Sequence, residues 1–461
     1  LTLFPKKLMA TVAASTMALS MFTAGGADVT AAASKAPAKN DIRNVIFLIG
    51  DGMGNSYTSA YRYLKNSGSS KFVDKTAFDN YLVGQQMTYP EDPAQNVTDS
   101  ASAATAMSAG VKTYNAAIAV DNDKRAVKTV LEAAKEQGKS TGLVATSEIT
   151  HATPAAFGAH DETRKNMNGI ADDYFDDLIA GKHKIDVLLG GGKSNFVRKD
   201  RDLTKEFKKA GYNYVTSKDA LKKNTKGQLL GLFADGGIDK KIDRNSSTPG
   251  LSTMTNAAIK QLDKNKKGFF LMVEGSQIDW AGHDNDIVGA MSEMSDFEQA
   301  FEAAIAFAKK DKHTLVVATA DHSTGGFSLA QGGDYNWNPE AIAAFSRTPD
   351  FMAEQIADGM NAEKVLKKYI NLTLTEEEIT SVVAVKDKDI TTIDNAIEAL
   401  VNKRSNTGWT TGGHTGEDVN VYAYGPGSEQ FRGQIDNTDQ AKKIFKIIEK
   451  NAKKQTVIKD K

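Results

Sequence analysis

Six short runs of almost wholly apolar residues recur along the chain, at 44–49, 141–146, 185–189, 229–233, 268–273 and 314–319. A run of this length without polar alternation suits a strand covered on both faces, and such strands belong to parallel sheets flanked by helices. Between several of them lie helical patterns, at 127–137, 253–262 and 287–309. This alternation predicts an α/β fold with a central, mostly parallel sheet and helices on both faces. Residues 419–424 read as a late strand and 438–451 as a closing helix, whereas 323–411 is less regular and reads as an insertion near the site.

In such sheets a ligand site lies just beyond the carboxyl ends of the strands. Asp51, His151, Glu274, Asp279, Asp321 and His322 all fall there, each shortly after an apolar run. The chain has only seven histidines, and three keep metal-like company. His283 follows Asp279 by four residues, His322 follows Asp321 directly, and His414 stands among glycines in Gly412-Gly413-His414-Thr415-Gly416. Oxygen and imidazole donors together suit zinc. His160, His183 and His313 lack such neighbours and read as surface or packing residues.

The segment from Thr98 to Gly110 reads as an alanine-rich helix that starts at Ser100 and stops at Gly110. Taken alone, it needs Asp99 or Ser100 only as an N-cap. The sharper reading makes Ser100 a nucleophile at the positive end of a helix, where a phosphate is also favoured. No Gly-x-Ser-x-Gly elbow surrounds it, so a metal ion would have to lower the hydroxyl's pKa. Convergence of Asp51, Asp99, Glu274, Asp279 and Asp321 would cost about 4 kcal/mol for each carboxylate pair at ~4 Å and an effective dielectric near 20. Bound cations, with a basic side chain such as Arg164, would make that cluster tolerable. Gly190-Gly-Gly-Lys193-Ser194 is no phosphate-binding loop, because Val187 occupies the position of its leading glycine.

The 461 residues can bury a large core, and a net charge of −1 provides no global field for nucleic acid or anionic lipid. Lys6-Lys7, an apolar stretch of fifteen residues from Leu8 to Phe22 and the small residues ending at Ala33 read as an export signal, too short to span a membrane. The expected organisation is a signal peptide over 1–33, a polar linker over 34–41, a catalytic domain over 42–455 and a basic tail over 456–461. With no cysteine, an exported chain has neither disulfides nor a lipid-modified cysteine anchor.

Seven motifs, in order, resemble those of alkaline phosphatases of the secreted Bacillus type. They are Gly50-Asp51-Gly52-Met53-Gly54, Val97-Thr-Asp99-Ser100-Ala, His151-Ala-Thr153-Pro154, Arg164, Glu274-Gly-Ser-Gln-Ile-Asp279-Trp280-Ala-Gly-His283, Thr319-Ala-Asp321-His322 and Gly413-His414-Thr415-Gly416. The resemblance implies one zinc at Asp279, His283 and His414, a second at Asp51, Asp321 and His322, and a third ion, usually magnesium, at Asp51, Thr153 and Glu274. It further implies that Ser100 attacks phosphorus, forming a phosphoserine, while Arg164 clamps phosphate and Asp99 orients the arginine. The expected activity is extracellular release of inorganic phosphate from small phosphate monoesters. Dimers are common in the family, and no interface is legible in the sequence.

Two positions depart from the enterobacterial pattern: His151 replaces an aspartate near the third metal, and Trp280 replaces a lysine near phosphate. Imidazole is a poorer partner than carboxylate for hydrated magnesium, which leaves the third metal's identity open. Two other enzymatic readings share the scaffold. A sulfatase would need a Cys/Ser-x-Pro-x-Arg setting that Ser100 lacks, and a phosphodiesterase would tend to carry threonine as nucleophile. A secreted phosphate- or metal-binding protein without turnover is the alternative outside enzymes.

Overall fold

A computed structural model describes residues 41–66, 73–224 and 226–459. The expected signal peptide, nearly all of the linker and the last two residues of the basic tail lie outside the described residues. Ten strands form the central sheet: β1 (Asn44–Gly50), β2 (Leu82–Met87), β3 (Ser140–Glu148), β4 (Val187–Gly191), β5 (Asn213–Val215), β6 (Leu229–Leu232), β7 (Phe269–Gly275), β8 (Thr314–Ala320), β9 (Val419–Tyr424) and β10 (Gly433–Asp436). Their order across the sheet is β10, β2, β9, β8, β1, β7, β3, β4, β6, β5. Only β9 runs against its neighbours β8 and β2, and every other pairing is parallel.

The apolar runs become strands because both faces of the sheet are covered. In β1 every residue is buried. Val45, Phe47 and Ile49 join a core with Ala101, Ala104 and Met107 of the helix Ser100–Ala109, while Ile46 and Leu48 join the opposite core with Met294, Phe297 and Phe301 of the helix Ile287–Asp311. Complete burial of each such Phe or Leu contributes roughly 1.5–3 kcal/mol. The two-residue alternation thus divides one run between two cores.

Three strands carry no comparable run. β2 reads Leu-Val-Gly-Gln-Gln-Met with only one residue fully buried, and β5 and β10 are short edge strands. Gly84 in β2 permits a close approach, since a Cβ there would lie 2.0 Å from the Gly433 carbonyl oxygen of β10.

The region 323–411 is more regular than its sequence suggests. It holds five helices, Pro339–Ala343, Pro349–Ala357, Ala362–Tyr369, Glu376–Val383 and Ile390–Ser405. Asn338, Thr348, Asn361, Thr375 and Asp389 cap them with side-chain oxygens. Four of the five have fewer than ten residues, too few for a helical period to stand out. Their apolar residues, Met352, Leu366, Ile393 and Ile397 among them, enter the core that contains Ile46 and Phe297. At the base of this layer Ser323–Thr324 pairs antiparallel with His414–Thr415, so the two ends of the insertion meet beside β8. The closing helix runs over Thr438–Lys459, beyond the expected end at 451 and through most of the expected basic tail.

Candidate metal centre

Strands β8, β1, β7 and β3 are consecutive in the sheet, and the chain leaves each of them carrying acids or imidazoles. Asp321 and His322 follow β8, and Asp51 follows β1. Glu274 lies at the end of β7, followed by Asp279 and His283 on the helix Gln277–Asp284. His151 and Thr153 open the helix Ala152–Gly158 after β3. Gly52 makes the turn after β1 possible: its φ is +71°, and a Cβ there would lie 2.8 Å from the Asp279 Cα. Its amide donates to Asp321 Oδ1 at 3.0 Å, joining two of these chain segments.

Asp279, His283 and His414 form one group of donors. His283 Nδ1 donates to the Gly412 carbonyl at 2.7 Å and His414 Nδ1 to the Thr98 carbonyl at 2.9 Å. A carbonyl only accepts, so each neutral ring carries its hydrogen on Nδ1 and presents a lone pair at Nε2. Those two Nε2 atoms face one another at 3.1 Å and lie 3.3 and 3.5 Å from oxygens of Asp279. Facing lone pairs beside a carboxylate repel unless a positive charge, either a proton on His283 Nε2 or a cation, sits between them. The hydrogen bond to Asp279 raises His283 to about 9, whereas burial and the neighbouring His322 bring His414 down to about 4. For Asp279, the hydrogen bond to His283 and the surrounding imidazoles outweigh burial and hold the carboxyl well below its usual range.

Asp51, Asp321 and His322 form a second group, all fully buried. His322 Nε2 is 3.4 Å from Asp51 Oδ1, 3.4 Å from Asp321 Oδ2 and 3.1 Å from Ser100 Oγ. Burial brings His322 down to about 4 and, together with Asp279, raises Asp321 to about 6. Asp51 is raised well above its usual value, by burial and then by Asp321, Asp279 and Glu274. Carboxylates pushed up in this way are short of positive charge.

A third group brings together Asp51, His151 and Glu274. Asp51 Oδ2, His151 Nδ1, Thr153 Oγ1 and Glu274 Oε1 are all buried without a hydrogen-bond partner. Ser276 and Ser147 donate to the other oxygen of Glu274 at 2.7 and 3.3 Å, yet burial still raises this carboxyl to about 7. Native proteins rarely leave so many buried polar atoms orphaned in one place, and the three oxygens of Asp51, Thr153 and Glu274 fit an oxygen-preferring cation.

Ser100 is the first residue of its helix and is almost fully buried, its Oγ 3.4 Å from Asp51 Oδ1. Asp99 serves both of the roles the sequence left open. Its Oδ1 accepts the Ser102 amide at 2.9 Å, a true N-cap, and its Oδ2 accepts Arg164 Nη1 at 3.0 Å. Arg164 Nη2 also donates to His151 Nε2 at 3.2 Å. Burial, followed by the charge of Arg164, lowers His151 to about 3, so the ring is neutral. The edge of Trp280 meets His151 with ring centroids 5.6 Å apart.

Every site residue expected from the sequence is drawn into this neighbourhood, and several contributors had no sequence signal. Thr324 Oγ1 donates to Asp279 and lies 3.3 Å from His322 Nδ1. Ala116, in the left-handed region at φ 76°, donates its amide to Asp99 Oδ2 at 3.0 Å and accepts the Arg164 amide at 2.8 Å. His160 lies between the Ala119 carbonyl and Glu132, His183 stacks near Phe175, and His313 meets the Asp41 carbonyl, all apart from the three groups. Lys193 is half-exposed and pairs with Asp235.

A buried seryl hydroxyl at a helix N-terminus, a guanidinium beside it and three adjoining sets of cation ligands define a metal-dependent hydrolase acting on an anionic ester. The alkaline phosphatase family model matches residues 42–450, and the chain belongs to that family. It is 68% identical over 455 residues to alkaline phosphatase 3 of Bacillus subtilis, covering 98% of each chain. It is also similar to the structure of the cold-active alkaline phosphatase from a psychrophilic Shewanella species, with a TM-score of 0.83, 39% identity and coverage of 88% of this chain and 99% of that one. A third likeness, with a TM-score of 0.64, 33% identity and coverage of 89% and 99%, is to a histidine-to-aspartate variant of the alkaline phosphatase from the Antarctic bacterium TAB5, which has magnesium bound in its M3 site. The protein is thus a phosphomonoester hydrolase with a multi-metal active site.

Proposed function

We propose that Ser100 is the nucleophile and that the three donor groups hold two zinc ions and a third divalent ion. Asp279, His283 and His414 would hold the first zinc, Asp51, Asp321 and His322 the second, and Asp51, Thr153 and Glu274 the third ion. The observation that carries this reading is the position of Ser100 Oγ, 3.1 Å from His322 Nε2 and 3.4 Å from Asp51 Oδ1, beside two members of one ligand set. When bound, the ions would supply the positive charge that favours a seryl alkoxide and a departing alcohol oxygen.

The chain's own groups account for the remainder. Ser100 Oγ forms a bond to phosphorus as the ester P–O bond breaks and the alcohol leaves; water then cleaves the phosphoserine, restoring the hydroxyl and releasing inorganic phosphate. Arg164 presents a planar fork to two phosphate oxygens, and Asp99 fixes its direction through Oδ2. The free amides at the start of the helix Ser100–Ala109 favour the same anion. Ser100 itself is buried, and Arg164 and Asp99 are partly so, which strengthens these contacts relative to open solvent. His151 leaves the third ion open between magnesium and a softer metal.

The signal-like residues 1–33 support export, with cleavage near Ala33 and recovery of phosphate outside the cell as the physiological role. Among the described residues no helix is long and apolar enough to cross a membrane. The deciding experiment is Ser100→Ala with labelled substrate. Loss of turnover, together with label trapped at acidic pH on the parent but not on the variant, supports the assignment, and retained turnover removes Ser100 as nucleophile.

A further inference from the structure

Outside the catalytic centre, the inserted helix Ile390–Ser405 carries two acids one turn apart, Asp394 and Glu398, only 6% and 3% exposed. Asp394 Oδ1 and Glu398 Oε1 are both buried with no hydrogen-bond partner. Three further carboxylates act on this pair: Asp284 and Asp286, just after His283, and Asp350 in the first turn of the helix Pro349–Ala357.

Lys240 is the cation set among them. Its ammonium lies 3.4 Å from Asp284 Oδ2 and 3.3 Å from Asp286 Oδ2, and it also pairs with Asp350. Asp286 has a second partner, because it caps the helix Ile287–Asp311 by accepting the Gly289 amide at 2.8 Å. Among the described residues, Asp394 and Glu398 receive neither an ammonium contact nor a cap. Burial, and then the neighbouring acids, push these two carboxyls up to about 9 and about 10. Were all five carboxylates ionised, one ammonium would leave most of their negative charge uncompensated, in a setting where buried charge needs a partner.

We propose that Asp394 and Glu398 form a binding site for a divalent, oxygen-preferring cation, calcium in type, built from none of the catalytic ligands. The donors are all carboxylates, with no imidazole or thiolate in the cluster among the described residues, which favours a hard ion over zinc. Asp284 and Asp350 are half-exposed and leave the ion a path from solvent. Two carboxylates one helical turn apart offer few ligands, so water would complete the coordination and affinity would fall in the weak range, about 10⁻⁴–10⁻³ M. The ion would fasten the inserted layer where it already meets the segment after His283: Asn402, on the same helix, donates to the Asn285 carbonyl at 3.1 Å. Its effect would be on the hold of the insertion, and the chemistry at Ser100 would be unchanged.

The test uses the full protein saturated with zinc and magnesium, so that the catalytic sites are filled, and titrates calcium chloride at pH 8. Equilibrium dialysis is expected to give one calcium per chain, and the unfolding midpoint is expected to rise by a few degrees with a half-effect in the millimolar range. In Asp394→Asn/Glu398→Gln the bound calcium and the midpoint shift should both disappear, while the calcium-free midpoint equals or exceeds that of the parent because the repulsion is gone. Glu398→Gln alone should weaken the calcium response at least tenfold and guards against misfolding of the double variant. No calcium bound to the parent, or an undiminished response in either variant, overturns the proposal.

Discussion

Removing the metals should make the protein progressively less stable as pH rises from about 6.5 to about 9, with the loss concentrated in one buried network. In the metal-free centre Asp321 is raised to about 6 and Glu274 to about 7, and Asp51 is raised well above its usual value by burial and then by Asp321, Asp279 and Glu274. Their ordinary values in an unfolded chain are about 4. A carboxyl whose folded-state pKa is raised contributes stability that is fully present below the unfolded value and is lost as pH rises through the folded one. For Asp321 and Glu274 that window runs from about 4 to about 7. His151, His322 and His414, lowered to about 3, 4 and 4, contribute with the opposite sign until histidine in the unfolded chain loses its proton near 6.5. The net loss therefore shows above about 6.5, where Asp51 and His283, the latter raised to about 9, still hold protons when folded. A tenfold change in proton affinity corresponds to about 1.4 kcal/mol, and Asp321 alone holds its proton roughly a hundredfold more tightly when folded, so its ionisation removes roughly 3 kcal/mol by pH 8. Glu274 and Asp51 add to that, and because the three acids interact they should titrate as one broad transition. The assay is the unfolding midpoint from pH 4 to 9 with zinc and magnesium supplied or chelated. The chelated protein should fall by a few degrees between about pH 6.5 and 9 while the loaded protein stays nearly level. A chelated midpoint that is flat or rises from about pH 7 to 9 refutes the argument that this network lacks compensating charge.

Three further outcomes follow from single contacts. Arg164→Ala removes the guanidinium proposed to hold phosphate and should weaken inhibition by inorganic phosphate by about 1.5–3 kcal/mol, roughly ten- to a hundredfold, read from Ki; an unchanged Ki would separate Arg164 from the anion. His151→Asp substitutes a carboxylate beside Asp51 and Glu274, and it should raise the magnesium requirement, read from activity against added magnesium; unchanged activation counts against a role for His151 at the third ion. Thr324→Val deletes the hydroxyl that donates to Asp279 and should speed zinc loss to a chelator about ten- to a hundredfold with little change in the fold, measured by zinc release and by far-ultraviolet dichroism.

The fold was readable wherever burial on both faces wrote an unbroken apolar run, as in β1, β7 and β8. It was unreadable where a strand sits near the sheet edge and is half wet, as in β2, or where short helices share a core without showing a period, as in 339–405. The site was legible for a related reason. Acids and histidines are conspicuous after apolar strands because nothing in packing calls for them there. Thr324, Ser276 and Ala116 were invisible, since a hydroxyl or a backbone amide becomes informative only when its partner's position is known.

His414 shows how far position depends on the fold. It is separated from His322 by the whole inserted layer, yet the Ser323–Thr324 pairing with His414–Thr415 returns the chain to the end of β8. The two imidazole rings then stack with centroids 3.6 Å apart. The Thr98 carbonyl, two residues before Ser100, fixes the ring of His414 through Nδ1 and so connects the start of the helix Ser100–Ala109 to the most distant donor. A change in the insertion can therefore reach the first donor group only by altering this short pairing or the Asp284–Asp286 segment after His283. That restriction explains how a layer of five helices can be inserted between two ligand groups while both remain in register with the sheet.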